Sequence, residues 1–146
     1  MPGPARIADQ PFPEARIAMT RHNCKSILAG RANADEPVLL RGWVRTRRDS
    51  KAGLSFVHVS DGSCFHPVQV VAEGKLGNYE SEVKRLTAGC AIEAVGRIVP
   101  SPAKGQPFEM QASEIRVVGW VDDPDTYPIQ PKPHTMEFLR EVAHLR

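Results

Sequence analysis

Five strand-like segments lie between residues 38 and 118, and they limit the folds that this chain can adopt. In these segments β-branched and other apolar residues alternate with polar ones, which is the period of a half-buried strand. The predicted strands are Val38–Asp49, Leu54–Ser60, Cys64–Ala72, Cys90–Val99 and Phe108–Val118. A chain of 146 residues has room for one ordinary domain with tails, which excludes a large multidomain enzyme.

The connections between the strands carry turn and helix signals. Residues 50–53 separate the first two strands, and Asp61-Gly62 predicts a tight hairpin between the second and third, because both residues tolerate left-handed backbone angles. Residues 78–89 predict a helix between the third and fourth strands, with Asn78 as its N-cap and Gly89 at its end. Its apolar stripe consists of Tyr79, Val83 and Leu86.

The fifth strand changes parity part-way along its length. One extra residue near Ala112 and Ser113 is needed if four apolar residues are to face inward together: Phe108, Met110, Ile115 and Val117. Such a bulge bends a strand, and a small closed barrel requires bent strands. The order β-β-β-α-β-β therefore predicts an all-β, five-stranded OB-fold barrel with one capping helix, over residues 37–120. An open sheet with a helix across one face is the alternative.

The segments before and after the predicted strands are rich in proline and lack the alternating pattern of a strand. Residues 1–36 predict a largely flexible tail in which only Cys24–Leu28 can form a helical turn, and both Met1 and Met19 are candidate native starts. Residues 121–133 predict an extended, proline-rich hinge. Residues 134–146 predict an amphipathic helix that either begins a truncated second domain or packs back on the barrel.

Composition limits the cellular setting. No apolar run reaches the roughly 20 residues that span a bilayer, and the N-terminus lacks a secretory signal, so we expect a cytoplasmic protein without a membrane partner. Cys24, Cys64 and Cys90 are too few and too scattered for a disulfide framework, which predicts reduced thiols. His58 and His66 with Cys64 make at most a weak metal-site signal, so no metal is expected.

Positive charge is concentrated in the first hairpin. Residues 37–60 contain five basic residues and one acidic residue, Asp49: the basic ones are Arg41, Arg45, Arg47, Arg48 and Lys51. A polyanion partner is one explanation of this charge. The alternative is a solvated basic edge that deters pairing between sheets.

Strand parity brings a second group of polar residues to one barrel wall. Phe56 and His58 alternate with inward-facing valines in the second strand, Gln69 does so in the third, and Glu109 has the parity opposite to Phe108 in the fifth. We therefore expect four side chains to meet beside the basic hairpin: Arg48, Phe56, Gln69 and Glu109. In the alternative interpretation Phe56 is a core residue after a register slip, Gln69 is an ordinary surface residue and Glu109 pairs with an arginine.

This grouping suits single-stranded nucleic acid. A phenylalanine offers a plane on which a base can stack, while arginine, glutamine and a carboxylate can bond base edges. Salt-sensitive attraction to the backbone would come from Arg45, Arg47 and Lys51. The sequence shows neither a nucleophile elbow nor a phosphate-binding Gly-rich loop, so no catalytic residue and no cofactor are assigned to this chain.

Three strings resemble a known enzyme family: RGWVRTRRDSK from Arg41, DGSCF from Asp61, and YPIQPKPHTMEFLREVAHLR from Tyr127. They resemble asparaginyl-tRNA synthetases, and the likeness covers residues 37–146. The Gly-Trp-Val-x-x-Arg-Arg core is shared with aspartyl- and, more loosely, lysyl-tRNA synthetases, so it identifies only this subgroup, whereas the longer strings are more specific to the asparaginyl type. Pro133 and His66-Pro67 depart from the family pattern.

The resemblance implies an anticodon-binding OB-fold and a hinge, followed by the first helix of an absent class II catalytic domain. In this subgroup, residues matching Arg48, Phe56, Gln69 and Glu109 recognise the anticodon, especially its central uridine. ATP and Mg²⁺ would serve the full-length ligase, a homodimer, whereas this chain alone is expected to be inactive and monomeric. The alternatives are the anticodon-binding domain of an aspartyl-type synthetase, a free-standing single-strand binder, and a protein-interaction module that presents the C-terminal helix.

Overall fold

The computed structural model describes residues 19–145. Its elements in chain order are six strands and four short helices: β1 (Thr20–Arg21), α1 (Cys24–Leu28), β2 (Val38–Ser50), β3 (Leu54–Ser60), β4 (Val68–Glu73), a 3-10 helix (Val83–Arg85), β5 (Ala91–Pro100), β6 (Phe108–Gly119), α2 (Met136–Glu141) and a 3-10 helix (Ala143–Leu145). Within residues 19–145, every helix is too short or too polar to cross a membrane.

The long strand β2 closes the sheet into a barrel. Its first half pairs with β5 and its second half with β3, and the two halves meet at Trp43. The barrel is completed by antiparallel β3–β4, parallel β4–β6 and antiparallel β5–β6 pairs. The short strand β1 pairs in parallel with the first two residues of β2. A Cβ atom at Gly42 would lie 2.7 Å from the Ser60 carbonyl oxygen, so the bend needs glycine at this position. The predicted five-stranded OB-fold is confirmed.

The predicted bulge in the last strand is also confirmed. Ser113 has no partner on β5, because the register passes around it: Val95 pairs with Glu114, then Gly96 with Ala112. The Ser113 hydroxyl donates to the Val95 carbonyl at 3.1 Å, which holds the bulged residue in place. The bulge keeps apolar residues on both of its sides in the core: Met110, Ile115 and Val117.

The segment before the barrel packs into it. Cys24 and Ile27 of α1 are completely buried in the core, and the Cys24 backbone N–H donates to the Asp61 carboxylate at 2.9 Å. Burial, reinforced by Asp61, raises the pKa of the Cys24 thiol to about 12. This packing differs from the flexible tail predicted for residues 1–36, because two apolar side chains complete the core; residues 1–18 lie outside the described part of the chain.

The connection between β3 and β4 is a loop, so the tight hairpin predicted at Asp61-Gly62 is wrong. The strand β4 starts at Val68 and not at Cys64. Pro67 has no N–H group to donate to a neighbouring strand, which favours a start after it. Asp61 instead organises the loop by accepting from the backbone and hydroxyl of Ser63, at 3.0 and 2.6 Å.

The helix predicted over residues 78–89 is reduced to turns and the 3-10 helix at Val83–Arg85. Its apolar stripe is nevertheless buried as expected: Tyr79, Val83 and Leu86. The side-chain amide of Asn78 does not cap a helix, because it donates to the Ile115 carbonyl and to Glu82. The three apolar anchors and this amide hold the segment against the barrel without a regular helix.

The C-terminal helix is short and begins at a capped residue. The Thr135 hydroxyl accepts from the Phe138 backbone N–H at 3.2 Å, and the His134 ring stacks on the Phe138 ring at 4.6 Å between centroids. The helix α2 ends at Glu141 and a 3-10 helix follows, so it does not continue regularly to Arg146 as predicted. None of the residues of α2 is buried.

Candidate nucleic-acid interface

One outer wall of the barrel brings together the four side chains predicted by strand parity. Arg48 of β2 lies beside Phe56 of β3, and Gln69 of β4 lies beside Glu109 of β6, each as a register pair. All four line a single groove of about 490 Å³. Its other walls are formed by Leu54, Val71, Glu73, Pro102, Ala103 and Gln111.

Phe56 faces this groove and not the core. Its neighbours in β3, Ser55 and Val57, are fully buried, whereas the Phe56 ring is half-buried at the wall of the groove. Ser55 fixes this alternation, because its hydroxyl lies 2.6 Å from an Asp49 carboxylate oxygen and 2.9 Å from the Tyr79 hydroxyl. The register-slip alternative for Phe56 is therefore wrong. A partly covered ring in a groove can receive a base on its open side.

Gln69 and Glu109 form the polar floor of the groove. Their exposed fractions are 5% and 6%, and the Gln69 amide nitrogen donates to the Glu109 carboxylate at 3.1 Å. Ser101, in the loop between β5 and β6, also donates to this carboxylate at 3.1 Å. The alternative in which Glu109 pairs with an arginine is not observed among residues 19–145. The two buried polar groups thus satisfy part of each other's hydrogen-bonding capacity, as buried polar groups generally do.

His58 contacts this floor through Gln69 without lining the groove itself, and the sequence pattern assigned it no role there. Its ring nitrogens lie 3.2 Å from the Gln69 amide oxygen and 3.2 Å from the Thr46 hydroxyl. Parity places His58 on the face of Phe56, whereas its residue type suggested only a weak metal ligand. The sequence signal that could have found His58 is the parity that it shares with Phe56. In the structure His58 is then the register partner of Gln69 on β4.

Arg48 supplies the positive charge at the groove. Its side chain is exposed, and none of the ion pairs found among residues 19–145 includes it. The adjacent Asp49 is directed elsewhere: hydrogen bonds from Ser55 and then from Arg47 lower the pKa of its carboxyl group below the ordinary value. Arg48 therefore remains available for a phosphate or a base edge.

The other three predicted basic residues do not line this groove. Arg47 points to the opposite face, where it donates to the Leu86 carbonyl at 3.0 Å and pairs with Asp49 at 2.5 Å. Arg45 lies at an irregularity of the β2–β3 pairing and lines a different groove, beside Trp43. Lys51 is exposed in the turn after β2. Strand alternation separates these charges from Arg48 in spite of their closeness in sequence.

The family to which this chain belongs follows from a family model that matches most of the barrel. Residues 38–118 match the model of the tRNA anticodon family, described as an OB-fold nucleic acid binding domain. The chain belongs to this family. The groove described above, with its polar floor and its half-buried ring, lies within the matched residues.

Two curated relatives of this OB-fold domain are named as asparagine-tRNA ligases. The chain is 60% identical over 128 residues to an asparagine-tRNA ligase of Xylella fastidiosa, which covers 88% of this chain and 28% of the relative. It is 63% identical over 122 residues to an asparagine-tRNA ligase of Legionella pneumophila, covering 84% and 26%. The solved asparaginyl-tRNA synthetase of Entamoeba histolytica, in complex with asparaginyl-adenylate, matches with a TM-score of 0.68 and 25% identity over 87% of this chain and 30% of that one. The chain thus spans between a quarter and a third of the length of these proteins.

Proposed function

We propose that this chain is the anticodon-binding domain of an asparagine-tRNA ligase and binds the anticodon loop of its tRNA. The observation that carries the proposal is the convergence of Arg48, Phe56, Gln69 and Glu109 on one groove of an OB-fold nucleic acid binding domain. Identities of 60% and 63% to asparagine-tRNA ligases favour that enzyme over the aspartyl type.

Each of the four residues has a chemical role in this proposal. Phe56 stacks on an unpaired base, and such stacking is sequence-tolerant because every base has a π-face. The Gln69 amide and the Glu109 carboxylate contact the edge of the central uridine and of its neighbour, and Arg48 contacts a base edge or a phosphate. A paired stem would hide these base edges, so the groove favours an extended loop.

The rest of the proposal concerns the full-length enzyme. It joins asparagine to tRNA as a homodimer in the cytoplasm, and ATP and Mg²⁺ act in the part of the enzyme outside this chain. By itself this chain binds RNA without forming an adenylate. Two of its free cysteines, Cys24 and Cys90, are buried, as expected of core thiols in a reducing compartment.

Binding to a short RNA tests the proposal directly. The probe is a stem-loop carrying the asparagine anticodon, and the variants are Phe56→Ala and Gln69→Ala, measured by fluorescence anisotropy. Each substitution should weaken binding by about 1–3 kcal/mol, through lost stacking or an unpaired base edge. Phe65→Ala is the matched control, because Phe65 is an equally large ring, 95% exposed, in the β3–β4 loop and not in the groove.

The outcomes separate the competing functions. Preference for the asparagine stem-loop over unrelated loops, lost in the groove variants and kept in Phe65→Ala, supports the proposal. Equal affinity for unrelated single-stranded RNAs would favour a general single-strand binder. Equal binding by the wild type and both groove variants would refute the assignment of the groove.

A further inference from the structure

A continuous chain of hydrogen bonds extends from the floor of the groove, through Gln69, to His58 and Thr46 beside it. It runs from the Thr46 hydroxyl to the His58 ring, from the ring to the Gln69 amide, and from the amide to the Glu109 carboxylate, with distances of 3.2, 3.2 and 3.1 Å. Ser101 donates to the same oxygen of this carboxylate, Oε2 of Glu109. Four strands therefore contribute to a single polar network, in the order β2, β3, β4, β6.

The acceptor at one end fixes the direction of every bond in the network. A carboxylate only accepts, so the Gln69 amide must turn its nitrogen towards Glu109 and its oxygen towards His58. The amide oxygen in turn only accepts, so the nitrogen Nε2 of His58 must donate to it. In the neutral ring the other nitrogen, Nδ1, then accepts from the Thr46 hydroxyl.

The network leaves a defined edge of Gln69 for a ligand. A primary amide has two N–H groups and an oxygen with two lone pairs. One N–H is taken by Glu109 and one lone pair by His58, from the strands on either side of β4. The second N–H and the second lone pair remain, with the donor on the β6 side and the acceptor on the β3 side.

We infer that His58 is a positioning residue, which holds the Gln69 amide in one of its two orientations and so makes this groove select uracil over cytosine. The inference rests on the proposed binding of an anticodon loop. Uracil presents a carbonyl acceptor beside the N3–H donor, whereas cytosine presents an amino donor beside the N3 acceptor. An amide that is free to rotate by 180° can pair with either pyrimidine in the same pose, but a fixed amide can pair with only one.

Reversal of the Gln69 amide is opposed from both sides. It would place the amide oxygen against the Glu109 carboxylate and an amide N–H against the donating nitrogen of His58. Because Gln69 and Glu109 are buried, water cannot readily replace the broken bonds. Without the donor at position 58 only the Glu109 contact resists the reversal, so discrimination should weaken but not vanish.

The experiment compares two stem-loops that differ only in uridine or cytidine at the central anticodon position. The full 146-residue chain is measured as wild type, His58→Phe and His58→Gln. His58→Phe keeps a ring of similar size and removes the donor, and we expect it to reduce the uridine-to-cytidine affinity ratio by about three- to tenfold, the effect of one net hydrogen bond. His58→Gln returns an N–H donor and should recover most of the ratio.

The readout separates positioning from a structural role. Loss of packing alone would lower both affinities equally in His58→Phe and leave the ratio unchanged, which would overturn the inference while the proposed function stands. A wild type that binds both stem-loops equally would also overturn it. If the wild type binds neither stem-loop, the proposed function fails and the inference fails with it. A reduced ratio in His58→Phe that is restored in His58→Gln, with both variants folded by circular dichroism, is the expected result.

Discussion

Gln69 and Glu109 are 40 residues apart in sequence and lie side by side across the parallel β4–β6 pair, with a 3.1 Å bond between amide nitrogen and carboxylate. The β4–β6 strand pair is one of those that complete the barrel. The polar floor of the groove is therefore assembled only when β6 docks beside β4. The proposed recognition of RNA by this floor therefore depends on closure of the barrel as well as on the four side chains themselves.

Arg48 lines the groove, whereas its neighbour Arg47 bonds other residues of the barrel, and a salt titration can distinguish the two contributions. Arg48→Gln should lower RNA affinity and flatten the dependence of log affinity on log salt by about 0.7 for each phosphate that Arg48 neutralises. Arg47→Gln should leave this slope unchanged but lower the unfolding temperature, because Arg47 bonds the Leu86 carbonyl and Asp49. Equal slopes for the wild type and Arg48→Gln would contradict a phosphate contact by Arg48.

Gly96 is required by the close approach of β6 at the bulge. A Cβ atom at this position would lie 2.2 Å from the Gln111 carbonyl oxygen, and a backbone atom cannot move aside without disturbing the β5–β6 pairing. We expect Gly96→Ala to lower the free energy of unfolding by about 1–3 kcal/mol, measured by urea denaturation. Gly77→Ala is the control, because a Cβ there meets no atom within 4 Å. Equal stability of the two variants would show that the bulge adapts.

Asp61 should make the free energy of unfolding of the barrel depend on pH in the acidic range. Burial opposes its charged form, but hydrogen bonds from Ser63 and from the Cys24 backbone outweigh burial and lower the pKa of the Asp61 carboxyl group. A lowered folded-state pKa contributes stability above the ordinary value of about 3.9, and this contribution is lost as the pH falls through the lower folded-state value.

The measurement is the free energy of unfolding of the wild type minus that of Asp61→Asn, from pH 7 to pH 2. This difference should be constant above about pH 5 and should shrink as the pH falls below about 4. In the Ser63→Ala background, which lacks the 2.6 Å hydroxyl bond, the change with pH should be smaller. A difference that grows on acidification would contradict the assigned direction.

The alternation of residues predicted much of the candidate site. A strand turns successive side chains to opposite faces, so Phe56 and Gln69 could be assigned to the outer wall from the buried valines beside them. The parity change around Ser113 likewise predicted the bulge, because Met110 and Ile115 could not otherwise share the core. These inferences need only the period of two, which is local.

Where the sequence interpretation was wrong, the deciding contacts are distant in sequence. The Asp61-Gly62 pair is a good hairpin signal, yet Asp61 bonds Cys24 and the loop continues to Pro67. Asn78 has the composition of an N-cap, but its amide reaches Ile115 in the last strand. In both cases a long-range hydrogen bond overrides the local preference.

Alternation along each strand was enough to predict which side chains face outward and where the last strand bends, because it is a local property of the strand. Which of the outward residues touch one another follows from the arrangement of the strands in the folded barrel. Closure of the barrel sets Gln69 between His58 and Glu109 and leaves Arg47 bonded on the other face. A hydrogen bond between strands depends on their register, and that register is fixed by the packing of the whole barrel.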